Sequence, residues 1–386
     1  MTGPVLRSPL TGEALAADTP HSLRAPSGER WPVLDDVPYL RAGRGDVVSD
    51  VLALLDAGDR EGALVRLLAD QDDWWTGPPA DEADLRRLVR ERDLLTLRDA
   101  VDLLGWGRVG DYFVHRWSDP TFVAGLALLE AHWTAPARAF ELACGIGHYL
   151  RELQNRGCHV IGADVVFAKL WVARHWVLPR PAPLVCFDAG RIWPIEARAD
   201  LVLCQDAFYF LEPKAEILGH LRAMAEPSGS LAIGHIHNCE RAGFSAGAAV
   251  TADDVARLFP DGVVYDDDEL TRAAAEARAP APQSPGDLRG AEAFSVAAGP
   301  GLARPPRRLG EGLTMPPPGA ALTRNPLYRA NGAGCALHWP SDRYRDEYAA
   351  RATYPAQTDA PERAMAGAAV APWARRRELV DLPERW

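Results

Sequence analysis

The chain predicts an α/β fold, with a doubly wound, mostly parallel sheet at its centre, a small β-rich module before it and an extended tail after it. Three observations carry this reading. Between 139 and 238, short apolar runs alternate with helical segments. Several of those runs are apolar at consecutive positions, as strands are when both faces of their sheet are covered. Glycines and carboxylates fall where the runs end, which is where such sheets bind ligands.

The elements follow in order. Residues 1–43 are rich in Pro and Gly, and Trp31 to Arg41 alternates apolar with polar residues, so short strands and turns are expected. From 46 to 70 the period is helical, and Gly58-Asp59 separates the two arms of a hairpin. A helix is expected over 84–105, with Leu85, Leu88, Val89, Leu94, Leu95 and Leu97 as its apolar positions. Ser118-Asp119-Pro120 is a helix start, an acceptor side chain before a first-turn proline, and that helix runs to about His132. Strands are expected at 139–144, 159–164, 184–188, 201–205 and 230–237, with helices at 148–157, 166–177 and 213–225 between them. A capped helix follows at 251–259. Late strands at 263–265 and 294–298 include an antiparallel edge. Beyond 300 the chain is rich in Pro and Arg. This divides it into a module at 1–43, a helical insert at 44–133, a ligand-binding domain at 134–299 and an extension at 300–386.

Composition narrows the function. The 386 residues hold 42 basic and 53 acidic side chains, a net charge of -11. Nucleic-acid binding gains from clustered Lys and Arg, so no nucleic-acid partner is expected. An acidic surface also repels anionic membranes, and no apolar run reaches the roughly 18 residues that span a bilayer. The first residues lack the basic end and apolar stretch of a secretory leader. The six cysteines begin only at Cys144, which suits a reducing cytoplasm rather than a disulfide scaffold. Oligomeric state is not legible.

The informative segment is Phe140-Glu-Leu-Ala-Cys-Gly-Ile-Gly-His-Tyr-Leu150. A buried strand ends at glycines and a helix begins, so backbone N–H groups are free and a ligand can approach closely. By itself such a turn also serves merely to connect strand to helix. A nicotinamide site asks for a third glycine where this chain has Leu150. Asp164 ends the second strand, Asp188 the third, and Gln205-Asp206 the fourth.

This series resembles the class I S-adenosylmethionine-dependent methyltransferases, whose sheet is Rossmann-like. Glu141, Gly145 and Gly147 match the first motif, which holds the methionine part of the cofactor; the motif's first glycine is Ala143 here. Asp164 matches the ribose-binding acid, and Asp188 with Ala189 the positions beside the adenine. Asp200 to Asp206 matches the fourth motif, with Gln205 toward the cofactor, and Pro227-Ser-Gly-Ser-Leu231 the turn before strand five. The resemblance implies S-adenosyl-L-methionine as cofactor. Upstream, Tyr112 or Arg116 is a candidate for the cofactor's carboxylate, with helix packing as the alternative. Leu6 to Gly12, Leu23 and Arg30 to Pro38 resemble the zinc-ribbon-like domain of tRNA methyltransferase activators. Ser8, Ala25 and Ser27 stand where metal-bearing members have cysteines, and zinc needs thiolates or imidazoles. A metal-free module held by Trp31, Val33, Val37 and Tyr39 is therefore expected.

The resemblance implies methyl transfer, an in-line displacement that needs an aligned nucleophile and sometimes a base. His235 and His237 lie two apart on a strand and point the same way. They are the general-base candidates, with a structural role as the alternative. Asp206 either orients the cofactor or caps the following turn. Tyr209 and Phe208 read as cleft-wall aromatics, and Cys144 as a small buried residue. No metal site is expected, Cys158-His159 included. The expected activity is methylation of a small molecule, at oxygen before nitrogen or carbon. The alternatives are a macromolecular acceptor or a scaffold that keeps the fold without the chemistry.

Overall fold

A computed structural model describes residues 4–241, 247, 250–332 and 334–386. The first three residues of the predicted 1–43 module lie outside it. The central sheet has seven strands: β1 (Arg138–Leu142), β2 (His159–Asp164), β3 (Leu184–Cys186), β4 (Ala199–Gln205), β5 (Ala225–His237), β6 (Val263–Asp266) and β7 (Ala293–Ala298). Their spatial order is β3-β2-β1-β4-β5-β7-β6. β1 to β5 pair in parallel. β7 runs antiparallel to both β5 and β6, so the late antiparallel pairing lies at this side of the sheet.

The strands are apolar at consecutive positions because each face has its own core. Phe140, Leu142, Val202, Cys204 and Ile233 pack into one. Ala139, Leu201, Leu203 and Ala232 pack into the other. Alternation along each strand sends neighbours to opposite faces.

Six helices position the site: α1 (Arg108–His115), α2 (Pro120–Ala131), α3 (His148–Asn155), α4 (Phe167–Val172), α5 (Lys214–Met224) and α6 (Asp267–Glu276). α2 begins where the sequence predicts. The Asp119 carboxylate accepts the Phe122 N–H at 2.7 Å, and every residue of the helix is buried. The order reverses between β1 and β4, which opens a crevice at their C-terminal ends.

The flanking regions correct several expectations. The hairpin forms as Gly45–Asp56 and Arg60–Leu68, with Asp59 capping the second arm. The single helix expected over 84–105 is instead two, Glu82–Glu91 and Leu97–Leu103. Thr96 starts the second with a capping box to Asp99, and Leu94, counted as apolar face, is 86% exposed between them.

The N-terminal ribbon orders Ala16–Thr19, Ser22–Arg24, Arg30–Leu34 and Val37–Pro38 side by side. Trp31, Val37 and Tyr39 are buried and Val33 is partly so. The ribbon is welded to the main domain. Tyr39 pairs in parallel with Cys186, extending the sheet past β3. Asp35 accepts Trp171 Nε1 at 2.6 Å, and His175 Nε2 lies 3.0 Å from the same oxygen. Ser8 Oγ accepts the Leu10 and Thr11 N–H groups and bonds the Glu29 carboxylate.

The tail also holds structure that its composition conceals. Ala321–Arg324 pairs with Arg363–Met365 and Leu379–Val380, and Gly334–Leu337 with Tyr328–Asn331 and Gln357–Thr358. A further helix, α7 (Asp342–Tyr348), lies between. Among the described residues no helix is long and apolar enough to cross a membrane.

Candidate functional site

The loop after β1 is built from left-handed backbone. Ala143, Gly145 and Gly147 have φ of 55°, 55° and 83°. The resemblance asks for glycine at 143, and alanine holds this conformation at a cost of about 1 kcal/mol. A Cβ on Gly147 would meet Leu178 at 3.3 Å and Ala173 at 3.4 Å, so that position needs glycine for space as well. Asp164, at the end of β2, ties the loop down. Its Oδ2 accepts the Gly145 N–H and its Oδ1 the Val166 N–H, each at 2.9 Å. Each oxygen keeps a second lone pair for a ligand hydroxyl. Lys169 Nζ lies 3.7 Å from Asp164 Oδ1.

Glu141 is buried inside this end, and its Oε2 has no hydrogen-bond partner. Burial pushes its carboxyl well above the usual range, and Asp164 adds to the shift while Arg116 opposes it. An orphaned buried oxygen beside a glycine loop is what a missing polar ligand leaves behind. Asp188, at the end of β3, accepts the Gly190 N–H at 2.9 Å and stays partly exposed beside Ala189. Two residues expected here go elsewhere. Gln205 donates to the Ala232 carbonyl at 3.0 Å and fills the space left by Gly234, so β5 takes its amide. Tyr112 turns toward the other end of the crevice.

That second end is a side-chain network. Asp206, with φ of 55°, follows β4. Its Oδ2 accepts the Tyr112 hydroxyl and lies 3.2 Å from Arg116 Nη1. The same guanidinium is 3.3 Å from Asp119 Oδ2 and stacks over the Tyr112 ring at 4.5 Å. Arg116 thus serves two carboxylates inside the protein. Asp206 Oδ1 faces His235 Nε2 at 3.9 Å.

His235 sits in an irregularity of β5, with φ of 53°, where the pairing with β7 shifts register. Its Nδ1 lies 2.6 Å from Asp267 Oδ2. Ser295 on β7 donates to Asp267 Oδ1 at 2.6 Å and accepts the His235 N–H. The His237 ring lies 4.6 Å from both the His235 and Tyr209 rings, edge to face. The His237 carbonyl accepts the Val250 N–H at 3.3 Å, while its imidazole makes no hydrogen bond to the described residues.

The electrostatics separate the two histidines. Burial pulls His235 down, but Asp206 and Asp267 outweigh it and leave its pKa raised. Burial, then the neighbouring His235, pushes His237 down to about 4. Burial raises Asp206, but His235 and Arg116 overcome it and hold the carboxyl below its usual value. Burial drives the Tyr209 hydroxyl well up, and the neighbouring Asp206 carboxylate adds to the shift.

The crevice is closed by residues that no local signal marks. Tyr112 packs on the tail cluster of Leu327, Tyr328, Tyr344, Tyr348 and Tyr354. Glu347 on α7 has its carboxyl raised by burial and then by Asp206. The Arg351 side chain is 7% exposed, with Nη2 3.6 Å from Glu292 and Nε, which makes no hydrogen bond, 3.9 Å from Asp268. Asp267 reads in sequence as one of three acids starting a helix. Only the pairing of β5 with β7 brings it to His235.

One helix joins the two ends. Phe113 lies against the glycine loop, 3.2 Å from a Cβ placed on Gly145. The preceding residue, Tyr112, reaches Asp206. His148 at the start of α3 holds α1 in place, with Nε2 2.9 Å from the Phe113 carbonyl.

Comparison with known proteins agrees with this architecture. Residues 140–233 match the family model described as methyltransferase domain. Among solved structures, the chain resembles an amino pentose methyltransferase of Micromonospora echinaspora. The two are 26% identical over 30% of this chain and 50% of that one, with a TM-score of 0.26. A phosphoethanolamine N-methyltransferase of Haemonchus contortus is 18% identical over 53% and 60%, with a TM-score of 0.37. The PH0226 protein of Pyrococcus horikoshii is 21% identical over 27% and 47%, with a TM-score of 0.24. The chain spans half or less of the first and third of these structures. No curated protein matches it. The segment that carries the glycine loop and β1 to most of β5 thus matches a methyltransferase domain, within a seven-stranded sheet.

Proposed function

We propose that the chain transfers a methyl group to a hydroxyl of a small-molecule acceptor held against Asp206, His235 and His237. The observation that carries this is their placement. The three side chains stand at the C-terminal ends of β4 and β5, and Tyr112 and Phe113 of one helix touch this cluster and the glycine loop. A reacting atom beside the cluster is therefore next to whatever the loop holds. S-adenosylmethionine, when bound, supplies the methyl as an electrophilic sulfonium.

The chain's own residues do the rest. The loop backbone and Glu141 hold the cofactor's amino-acid part, Asp164 its ribose, and Asp188 with Ala189 its adenine. Tyr209 and the tail wall the acceptor in. The histidine cluster draws the hydroxyl proton away as the bond to carbon forms. A small acceptor fits a crevice closed by α7 and an acidic chain without a basic face. The N-terminal ribbon attaches beside β3, on the far side of β1 from the cluster, so it does not line the acceptor end.

Calorimetry with S-adenosylmethionine is the first test, and micromolar binding is expected. Absence of binding at millimolar cofactor would instead favour a scaffold. Release of S-adenosylhomocysteine, followed across hydroxyl and amine acceptors, then tests the chemistry. Replacing both histidines by Gln is expected to leave cofactor binding intact and to lower turnover on hydroxyls by about 10²–10⁴-fold. Unchanged turnover would remove the cluster from the reaction.

A further inference from the structure

We infer that Asp206, His235 and His237 together form a site for one divalent transition-metal cation such as zinc, cobalt or iron(II). One ligand atom from each of the three lies within 4.8 Å of the others. Two imidazoles and a carboxylate are a borderline donor set, suited to these metals rather than to calcium or magnesium. Bonds of about 2.1 Å bring such atoms to about 3 Å apart, so small side-chain rotations close the site.

The surroundings are arranged as they are around metal-bound imidazoles. His235 is tied at Nδ1 to Asp267, which is tied to Ser295. That leaves Nε2 facing Asp206 Oδ1. A carboxylate behind the distal nitrogen fixes the tautomer and makes the inner nitrogen a better donor. The His237 imidazole makes no hydrogen bond to the described residues, so both ring nitrogens are available. Tyr112 and Arg116 both approach the other oxygen of Asp206, Oδ2. The charges also leave room for a cation. Asp119, Asp206 and Asp267 are three carboxylates, and Arg116 is the guanidinium placed between the first two. Arg351 approaches from the tail, but its nearest carboxylates are Glu292 and Asp268.

Three protein ligands leave a cation with open positions, as catalytic sites do. This rests on the acceptor placement proposed above, and with the cation bound the cluster acts by acidifying the hydroxyl rather than as a free imidazole base. A hydroxyl bound at an open position is acidified by the cation. Its proton leaves to water, its oxygen forms the bond to the methyl carbon, and the carbon–sulfur bond breaks, leaving a thioether.

The test uses the full chain freed of metal by a chelator and titrated with cobalt(II). A visible absorption band saturating at a single equivalent, and bleached by zinc, is expected. His237→Gln touches only neighbouring rings, so its fold is checked by calorimetry with S-adenosylhomocysteine. In that variant the band should be lost or the affinity for cobalt sharply reduced. Ser295→Ala and Asp267→Asn should weaken cobalt binding by roughly 10- to 100-fold. No band, or a band unchanged in His237→Gln, overturns the site. Failure of S-adenosylhomocysteine to bind the unaltered chain would overturn the methyltransferase reading, while the cobalt titration still decides the metal.

Discussion

The two ends of the crevice are made differently. The cofactor end comes from one continuous stretch, Glu141 to Ala189, and its contacts are largely backbone: left-handed turns, N–H groups and one carboxylate pinning them. The acceptor end draws on residues from Tyr112 to Arg351, and its contacts are side chain to side chain. A backbone loop depends on local conformation and bends with few demands on distant residues. A buried polar network fails when any one member is removed, because the partner left behind remains desolvated. Substitutions at the acceptor end should therefore cost stability, and those at the cofactor end should cost mainly ligand affinity.

The largest expected break is Arg116→Met. It leaves Asp119 and Asp206 buried without their shared guanidinium, and a loss of about 3–5 kcal/mol in denaturant unfolding is expected. A loss below about 1 kcal/mol would show that the network is not held by that charge.

Acid should act on the helix between the ends. Burial pushes His148 down to about 3 and His115 down to about 4, the latter with help from Arg98. The unfolded chain binds these protons near pH 6.5 and the folded chain does not. Stability is therefore full above that value and falls as pH drops toward 3–4, by a few kcal/mol in order of magnitude. Thermal melts across this range check the sign, and His148→Gln should flatten the slope.

At the end proposed for the cofactor, Asp164→Ala removes two hydrogen bonds to the loop and the acceptor proposed for a ribose. Affinity for S-adenosylhomocysteine should drop by roughly 10- to 100-fold, with stability lowered by about 1–3 kcal/mol. A smaller loss of affinity than of stability would reverse the contrast between the ends.

Smallest is Ala143→Gly, which relieves a left-handed alanine and should raise stability by about 0.5–1 kcal/mol without weakening cofactor binding. A fall in melting temperature would mean that the methyl group packs better than its backbone strains.

How much of this was legible follows the same division. The glycine loop, the carboxylates ending β2 and β3, and the capped start of α2 carry their signals within a few residues. The sheet could be read because each strand is apolar on both sides. The break between Glu91 and Leu97 was hidden, because Leu94 and Leu95 fit the helical period while the Thr96 cap competes with it. The strand at Ala321–Arg324 was hidden among prolines and arginines, because it pairs with segments 40 to 57 residues away. Tyr112 and Gln205 were assigned to the cofactor by position, and their rotamers were set by Asp206 and Ala232 instead.

The sequence by itself determined the parallel sheet and the ligand loop, since these rest on periodicity and on backbone conformations that few residues adopt; the cofactor is what the resemblance of its motifs implies. Only the tertiary structure decided the acceptor end. The bond from His235 to Asp267 joins positions 32 residues apart and that from Tyr112 to Asp206 joins positions 94 apart. Hydrogen bonds and ion pairs act over a few ångströms, so residues far apart in the chain acquire a joint chemistry only when the fold closes that distance.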